Sequence, residues 1–177
     1  TPQNLRPLNT QEPELIAKAV LELGLKHVVI TSVDRDDLED MGAGHFYATA
    51  KAVKEQNPLC KVELLVPDFQ GKRASLELVL QGNYVDVLGH NVETVIALQN
   101  HIRPGASFER SLSVIKWAKE ISPTVKTKSG IMLGLGESNS EILETFDCLR
   151  RVNCDILTVG QYLQPTAKQL KVARYVT

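Results

Sequence analysis

The sequence is short of cysteine, of net charge and of long apolar runs, and each shortage closes off a class of protein. Only three cysteines, Cys60, Cys148 and Cys154, occur among 177 residues. None falls in a CxxC or CxxxCxxC pair, so the sequence offers neither a disulfide framework nor a compact metal or cluster motif. Each reads as a small apolar residue within a helix or strand, and the set points to a reducing compartment such as the cytoplasm or an organelle matrix. Twenty basic against twenty-one acidic side chains leave a formal charge of −1. No global field therefore draws the chain to nucleic acid or an anionic membrane. No apolar run approaches the roughly 18 residues of a membrane span, and the opening Thr1-Pro2-Gln3-Asn4-Leu5-Arg6 does not resemble a secretory leader. Linkers, low-complexity runs and 20–50-residue repeats are absent too, which leaves a single globular domain over 1–177. At this length a core forms without cross-links.

What is present is a regular alternation of helix and strand patterns. Leu15, Ile16, Ala19, Val20 and Leu23 follow helical spacing, with Thr10 as expected cap and Gly24 as stop. A β-branched run at 26–33 reads as a buried strand, followed by a charged turn and a helix over 44–56. Strand and helix then repeat: strand 62–66, helix 73–80, strand 85–88, helical stretches 92–101 and 108–121, strand 127–133. Ser138-Asn139-Ser140-Glu141 is a capping box for a helix with Ile142, Leu143, Phe146 and Leu149 inward, and 155–160 is the last strand. This order demands parallel strands with crossover connections. Every polar cluster falls just after a strand, at the carboxyl edge where α/β barrels and doubly wound sheets carry their chemistry.

Four such clusters stand out. Thr31-Ser32-Val33-Asp34-Arg35-Asp36-Asp37 offers hydroxyls, a guanidinium and carboxylates that suit a zwitterion; the alternative is a solvated acidic turn. In His90-Asn91-Val92-Glu93 a carboxylate and an amide can bind both hydroxyls of a ribose, or Asn91 can cap a helix whose first turn holds Glu93. Gly130-Ile131-Met132-Leu133-Gly134-Leu135-Gly136-Glu137 lets a flat or anionic ligand approach backbone, although it lacks P-loop and dinucleotide spacing. Lys128 beside it is a Schiff-base candidate if desolvated, or a strand lysine reaching for solvent. Gly160-Gln161-Tyr162-Leu163-Gln164-Pro165 can read an adenine edge or form a rigid turn. His27, His45 and His101 lack partner motifs, and Trp117 reads as packing.

Together with Pro67-Asp68-Phe69-Gln70-Gly71 and Arg103-Pro104-Gly105, these strings resemble, in order and spacing, the lipoyl synthase family of radical S-adenosylmethionine enzymes. The resemblance covers the chain from about Glu12 onward. It implies an α/β fold, a partial (β/α)6 TIM-like barrel, here without its first strand. It also implies S-adenosylmethionine and two [4Fe-4S] clusters as cofactors, and radical insertion of two sulfurs at C6 and C8 of a protein-bound octanoyl chain. The partners it implies are an octanoylated lipoyl carrier domain and an electron donor such as flavodoxin or ferredoxin. By the same resemblance Thr31 and Ser32 meet the methionine amino end, and Asn91 and Glu93 the ribose. Gly134, Gly136 and Glu137 lie beside the nucleoside, Tyr162, Leu163 and Gln164 near adenine, and Asp34, Arg35 and Lys128 are further polar contacts.

The sequence departs from the family pattern where iron would bind. Both cluster-binding cysteine motifs and the C-terminal serine segment are missing, so no residue here is assigned to metal. With no initiator methionine and no closing element after Tyr175-Val176-Thr177, the chain reads as an internal piece, inactive by itself. Two other readings remain: a Schiff-base lyase on a (β/α)8 barrel using Lys128, and a nucleoside-binding module without catalysis.

Overall fold

The computed structural model describes residues 6–176. Five strands, β1 (His27–Thr31), β2 (Lys61–Leu65), β3 (Val87–Gly89), β4 (Lys126–Leu133) and β5 (Ile156–Gln161), form one sheet in sequence order. All four pairings are parallel, with Val29 opposite Glu63, Gly89 opposite Lys128 and Lys128 opposite Ile156. The sheet does not close, leaving β1 and β5 at its edges. Helix α1 (Glu12–Glu22) precedes β1, and helices α2 (Ala43–Gln56), α3 (Arg73–Leu80), α4 (Gln99–Ile102), α5 (Phe108–Ile121) and α6 (Asn139–Arg151) supply the crossovers.

Alternation along the strands separates two faces. Val28, Ile30, Val62, Leu64 and Leu88 point into the main core with α1, α2, α3 and α5, whereas Ile131, Leu133 and Leu157 join a second cluster with α6. The opposite face carries His27, Val29, Glu63 and Lys128. The α/β alternation and the strand count thus agree with the sequence reading, and helices α2, α3 and α5 lie within a residue of their expected bounds.

Three expectations change. In α1 the buried residues are Pro13, Ala17 and Val20, while Leu15 and Leu23 are exposed and Thr10 provides no cap. Ala17 is the reason: its small side chain admits α2, and the Asn57 amide donates to the Ala17 carbonyl at 3.0 Å. In α6 Leu143 is exposed and Thr145 takes the buried place. The expected helix over 92–101 shrinks to a turn at Ile96–Leu98 and the single turn of α4. Residues 92–95 instead hold to β4, the Glu93 amide donating to Gly130 O (3.0 Å) and Glu93 O accepting from Met132 N (2.9 Å). Those groups cannot also serve a helix.

The rim opposite the strand carboxyl ends carries one device twice. Asp86, just before β3, accepts from Val62 N (2.9 Å) and pairs with Lys54 (2.6 Å) and Lys61 (2.9 Å). Asp155, just before β5, accepts from Thr127 N (2.9 Å) and pairs with Lys119 (2.5 Å) and Lys126 (3.1 Å). The sequence shows the parallel once it is sought: Lys54-Glu55-Gln56-Asn57-Pro58-Leu59-Cys60-Lys61 recurs as Lys119-Glu120-Ile121-Ser122-Pro123-Thr124-Val125-Lys126. Burial opposes ionisation of Asp155, but Lys119, the Thr127 amide and Lys126 prevail and hold its carboxyl far below the usual carboxylate range.

Candidate nucleoside site

The strand carboxyl ends enclose a cavity of about 570 Å³ lined from β1, β2, β3 and the segment after α4. Thr31 and Ser32 reach it as β1 ends. Their hydroxyls donate to Leu65 O (3.0 Å) and Val33 O (2.9 Å), which leaves oxygen lone pairs as acceptors. Asp34 lines the same cavity, and its carboxylate has no hydrogen-bond partner among the described residues. Arg35 does not join it. Its guanidinium grips Asp37 in a two-pronged pair at 2.8 Å and borders a smaller cavity with His45 and Phe46.

Glu93 and Asn91 meet at the end of β3. Glu93 adopts φ +65°, a left-handed conformation that costs a non-glycine residue of order 1–3 kcal/mol. The bridge to Ile131 holds it there, so the helix-cap alternative for Asn91 and Glu93 is replaced. Neither the Glu93 carboxylate nor the Asn91 amide has a hydrogen-bond partner among the described residues, and both face the cavity. Gly130 makes room for this. A Cβ there would lie 2.8 Å from Asn91 Oδ1 and 3.1 Å from Thr158 Oγ1.

Four further side chains shape the cavity without having been singled out from sequence. His90 is buried, with Nδ1 2.8 Å from Val66 O and Nε2 3.0 Å from Ser111 Oγ. A carbonyl only accepts, so Nδ1 carries the proton and Nε2 accepts from the serine. Burial pushes the imidazole pKa down, and nearby Arg103 adds to this. Arg110 is neutralised by Asp68 at 2.6 Å. Arg103 makes only a 3.4 Å bond to Asn91 O and has no carboxylate partner among the described residues. The cavity therefore presents one uncompensated cation near Asn91 and carboxylates at Asp34, Asp36 and Glu93. His90, Asp68 and Arg103 sat inside recognisable strings; Arg110 gave no signal beyond residue type.

Lys128 lies one layer lower. Its ammonium is 2.6 Å from Glu63, whose other oxygen is 3.0 Å from His27 Nε2. His27 and His45 thus have partners after all, the latter Glu12 at 2.6 Å. Lys128 is tied into this ion pair on the open face of the sheet and does not line the cavity, which leaves the lyase reading without a nucleophile in position.

The remaining residues form a second group at the ends of β4 and β5. Glu137, its side chain fully enclosed, accepts from Gly134 N (2.7 Å) and Leu135 N (2.9 Å). Gly134 and Gly136 take φ of +99° and +117°, open to glycine alone at no cost. Tyr162 N donates to Leu133 O (2.8 Å), its hydroxyl to Leu170 O (2.9 Å), and the Gln164 amide to Gln169 O (2.9 Å). Leu163 is exposed. The bridge from Glu93 to Ile131 joins this group to the cavity. Cys60 is buried, Cys148 and Cys154 are half-buried, and no cluster of metal-ligating side chains occurs among the described residues.

Comparison with known proteins bears on this arrangement. Residues 1–149 match the family model described as the radical SAM superfamily. A lipoyl synthase of Actinobacillus pleuropneumoniae serotype 5b (strain L20) is 51% identical over 170 residues, 96% of this chain and 52% of that protein. The lipoyl synthase of Alkaliphilus metalliredigens (strain QYMF) is 48% identical over 98% of this chain and 59% of its own. The chain thus spans a little over half the length of these relatives. Among solved structures, methylornithine synthase superposes with a TM-score of 0.66 at 18% identity, covering 92% of this chain and 46% of that one. A Streptococcus suis protein solved with its precursor peptide gives 0.68 at 14%, covering 98% and 37%. At those identities the likeness concerns the fold, an open part of a TIM-like barrel. With the family model matching most of its length, the chain belongs to the radical SAM superfamily.

Proposed function

We propose that the full-length protein is a lipoyl synthase, inserting two sulfurs at C6 and C8 of an octanoyl chain carried on a lipoyl carrier domain. About half-identity to lipoyl synthases over nearly the whole chain supports the reading. The structural observation that carries it is Glu93, a carboxylate held in a strained backbone without a hydrogen-bond partner among the described residues, close to Asn91, whose amide fills the space left by Gly130. The donor set fits an adenosyl amino acid. Glu93 and Asn91 would take the ribose hydroxyls, Thr31, Ser32 and Asp34 the ammonium, and the loop 134–137 with the Tyr162–Gln164 turn the base.

When bound, S-adenosylmethionine and two [4Fe-4S] clusters supply the radical and the sulfur. The residues of this chain do not fit the clusters, since Cys60 precedes β2, Cys148 lies on α6, Cys154 precedes β5 and no group of metal-ligating side chains forms among the described residues, so their part is to bind and orient the nucleoside. The neutral His90 holds the ends of β2 and β3 and α5 together, fixing Asn91. The reading includes flavodoxin or ferredoxin as electron donor and the cytoplasm as compartment.

Glu93→Gln tests it. The change keeps shape but removes charge-assisted acceptance, costing about 1.5–3 kcal/mol, or roughly tenfold to a hundredfold in affinity. Titration calorimetry of S-adenosylhomocysteine on the full-length protein reads this directly. An unchanged dissociation constant removes Glu93 from the site and the nucleoside assignment with it.

A further inference from the structure

The segment after Pro165 returns to the glycine-rich loop and the end of β5 and is bonded to both. Ala173 N donates to Gly134 O (2.8 Å), Gln161 Nε2 to Arg174 O (3.1 Å), and Val176 N to Gln161 Oε1 (2.9 Å). The packing is close: a Cβ on Gly134 would collide with the Gln161 amide and lie 2.5 Å from the Arg174 carbonyl. Arg174 reaches further, its Nη2 donating to Asn139 Oδ1 (2.9 Å) and Glu137 O (3.4 Å) and standing 3.9 Å from Glu137 Oε1.

Glu137 explains why this matters. A carboxylate with a fully enclosed side chain is costly unless its charge is met. Two amides of its own loop meet part of it, and Arg174 is the one cation within ion-pair distance among the described residues. The same carboxylate sets the direction of the Gly134 and Leu135 amides. Arg174 therefore acts on the loop through Glu137, from a segment that the sequence motifs leave out.

We infer that Arg174 is a positioning residue, latching Glu137 so that the loop 134–137 keeps the shape that admits the nucleoside. The inference rests on the assignment of that loop to the nucleoside site. The test compares Arg174→Met and Arg174→Lys in the full-length protein, with Asp86→Asn as a destabilised control at the far rim. Two readouts are taken: hydrogen exchange at the Gly134 and Leu135 amides, and calorimetric affinity for S-adenosylhomocysteine. Arg174→Met should speed exchange at both amides and weaken binding roughly tenfold, the worth of one charge-assisted contact. Arg174→Lys should restore most of the affinity, and Asp86→Asn should lower the melting temperature while leaving affinity unchanged. Unchanged exchange in Arg174→Met, or an affinity loss no larger than that of the control, overturns the latch. If the wild-type loop amides gain no protection on binding the probe, the nucleoside assignment fails and the inference falls with it. Protection in the wild type with unaltered behaviour in Arg174→Met overturns the latch alone.

Discussion

Replacing Glu63 tests whether the open face of the sheet depends on its ion pair. The side chain of Glu63 is 7% exposed and that of Lys128 27%, with 2.6 Å between the charged atoms. At an effective dielectric of about 20, attraction at that distance is roughly 6 kcal/mol, opposed by several kcal/mol of desolvation per ion. Glu63→Leu leaves the largely buried Lys128 ammonium without its counter-charge. Breaking such a pair costs about 3–5 kcal/mol when both partners are buried, and partial access of Lys128 to water reduces this to about 2–3 kcal/mol. Lys128→Met costs less, because His27 still faces the Glu63 carboxylate at 3.0 Å. The double variant replaces the pair with apolar groups and should be more stable than the summed single effects by about 1.5 kcal/mol. Urea unfolding followed by circular dichroism measures all four proteins. Additivity within about 0.3 kcal/mol would refute the claim that the two charges support one another.

Gly130→Ala should weaken S-adenosylhomocysteine binding at least tenfold by displacing Asn91 Oδ1, 2.8 Å from the new methyl; binding at wild-type strength would show that Asn91 is not held for the ligand. Asp155 has a depressed folded-state pKa, so its stabilisation is present above the ordinary carboxylate range and fades as pH falls through the folded value. Asp155→Asn should therefore destabilise at pH 7 and flatten the acid limb of the stability profile; equal losses at pH 7 and pH 2 in chemical denaturation would contradict this. Incubated anaerobically with iron and sulfide, the 177-residue chain should remain colourless and form no 5′-deoxyadenosine, because its three cysteines do not converge. Stoichiometric uptake would mean that these cysteines are ligands.

Short-range chemistry was legible from the chain alone. The capping box at Ser138 and Glu141 forms as read, because both bonds lie within three residues. The strands follow from β-branched runs, and the placing of polar clusters after them follows from parallel α/β connectivity. The strings around Thr31, Asn91 and Gly134 were enough to indicate the family. Local sequence could not decide contacts between segments far apart. Val92 to Val95 have helical spacing, yet the backbone of Glu93 goes to Gly130 and Met132 on β4, a choice that only the neighbouring strand can impose. Which stripe of α1 turns inward was settled by the fit of Ala17 against α2. Lys128 looked like a free amine until Glu63, sixty-five residues away, met it across β3. Arg174 showed no motif, because its role exists only once the returning segment lies over a loop whose buried carboxylate needs a counter-charge. Hydrogen bonds and periodicity within a few residues are written in order along the chain, whereas burial and charge compensation depend on which distant residues the fold brings together.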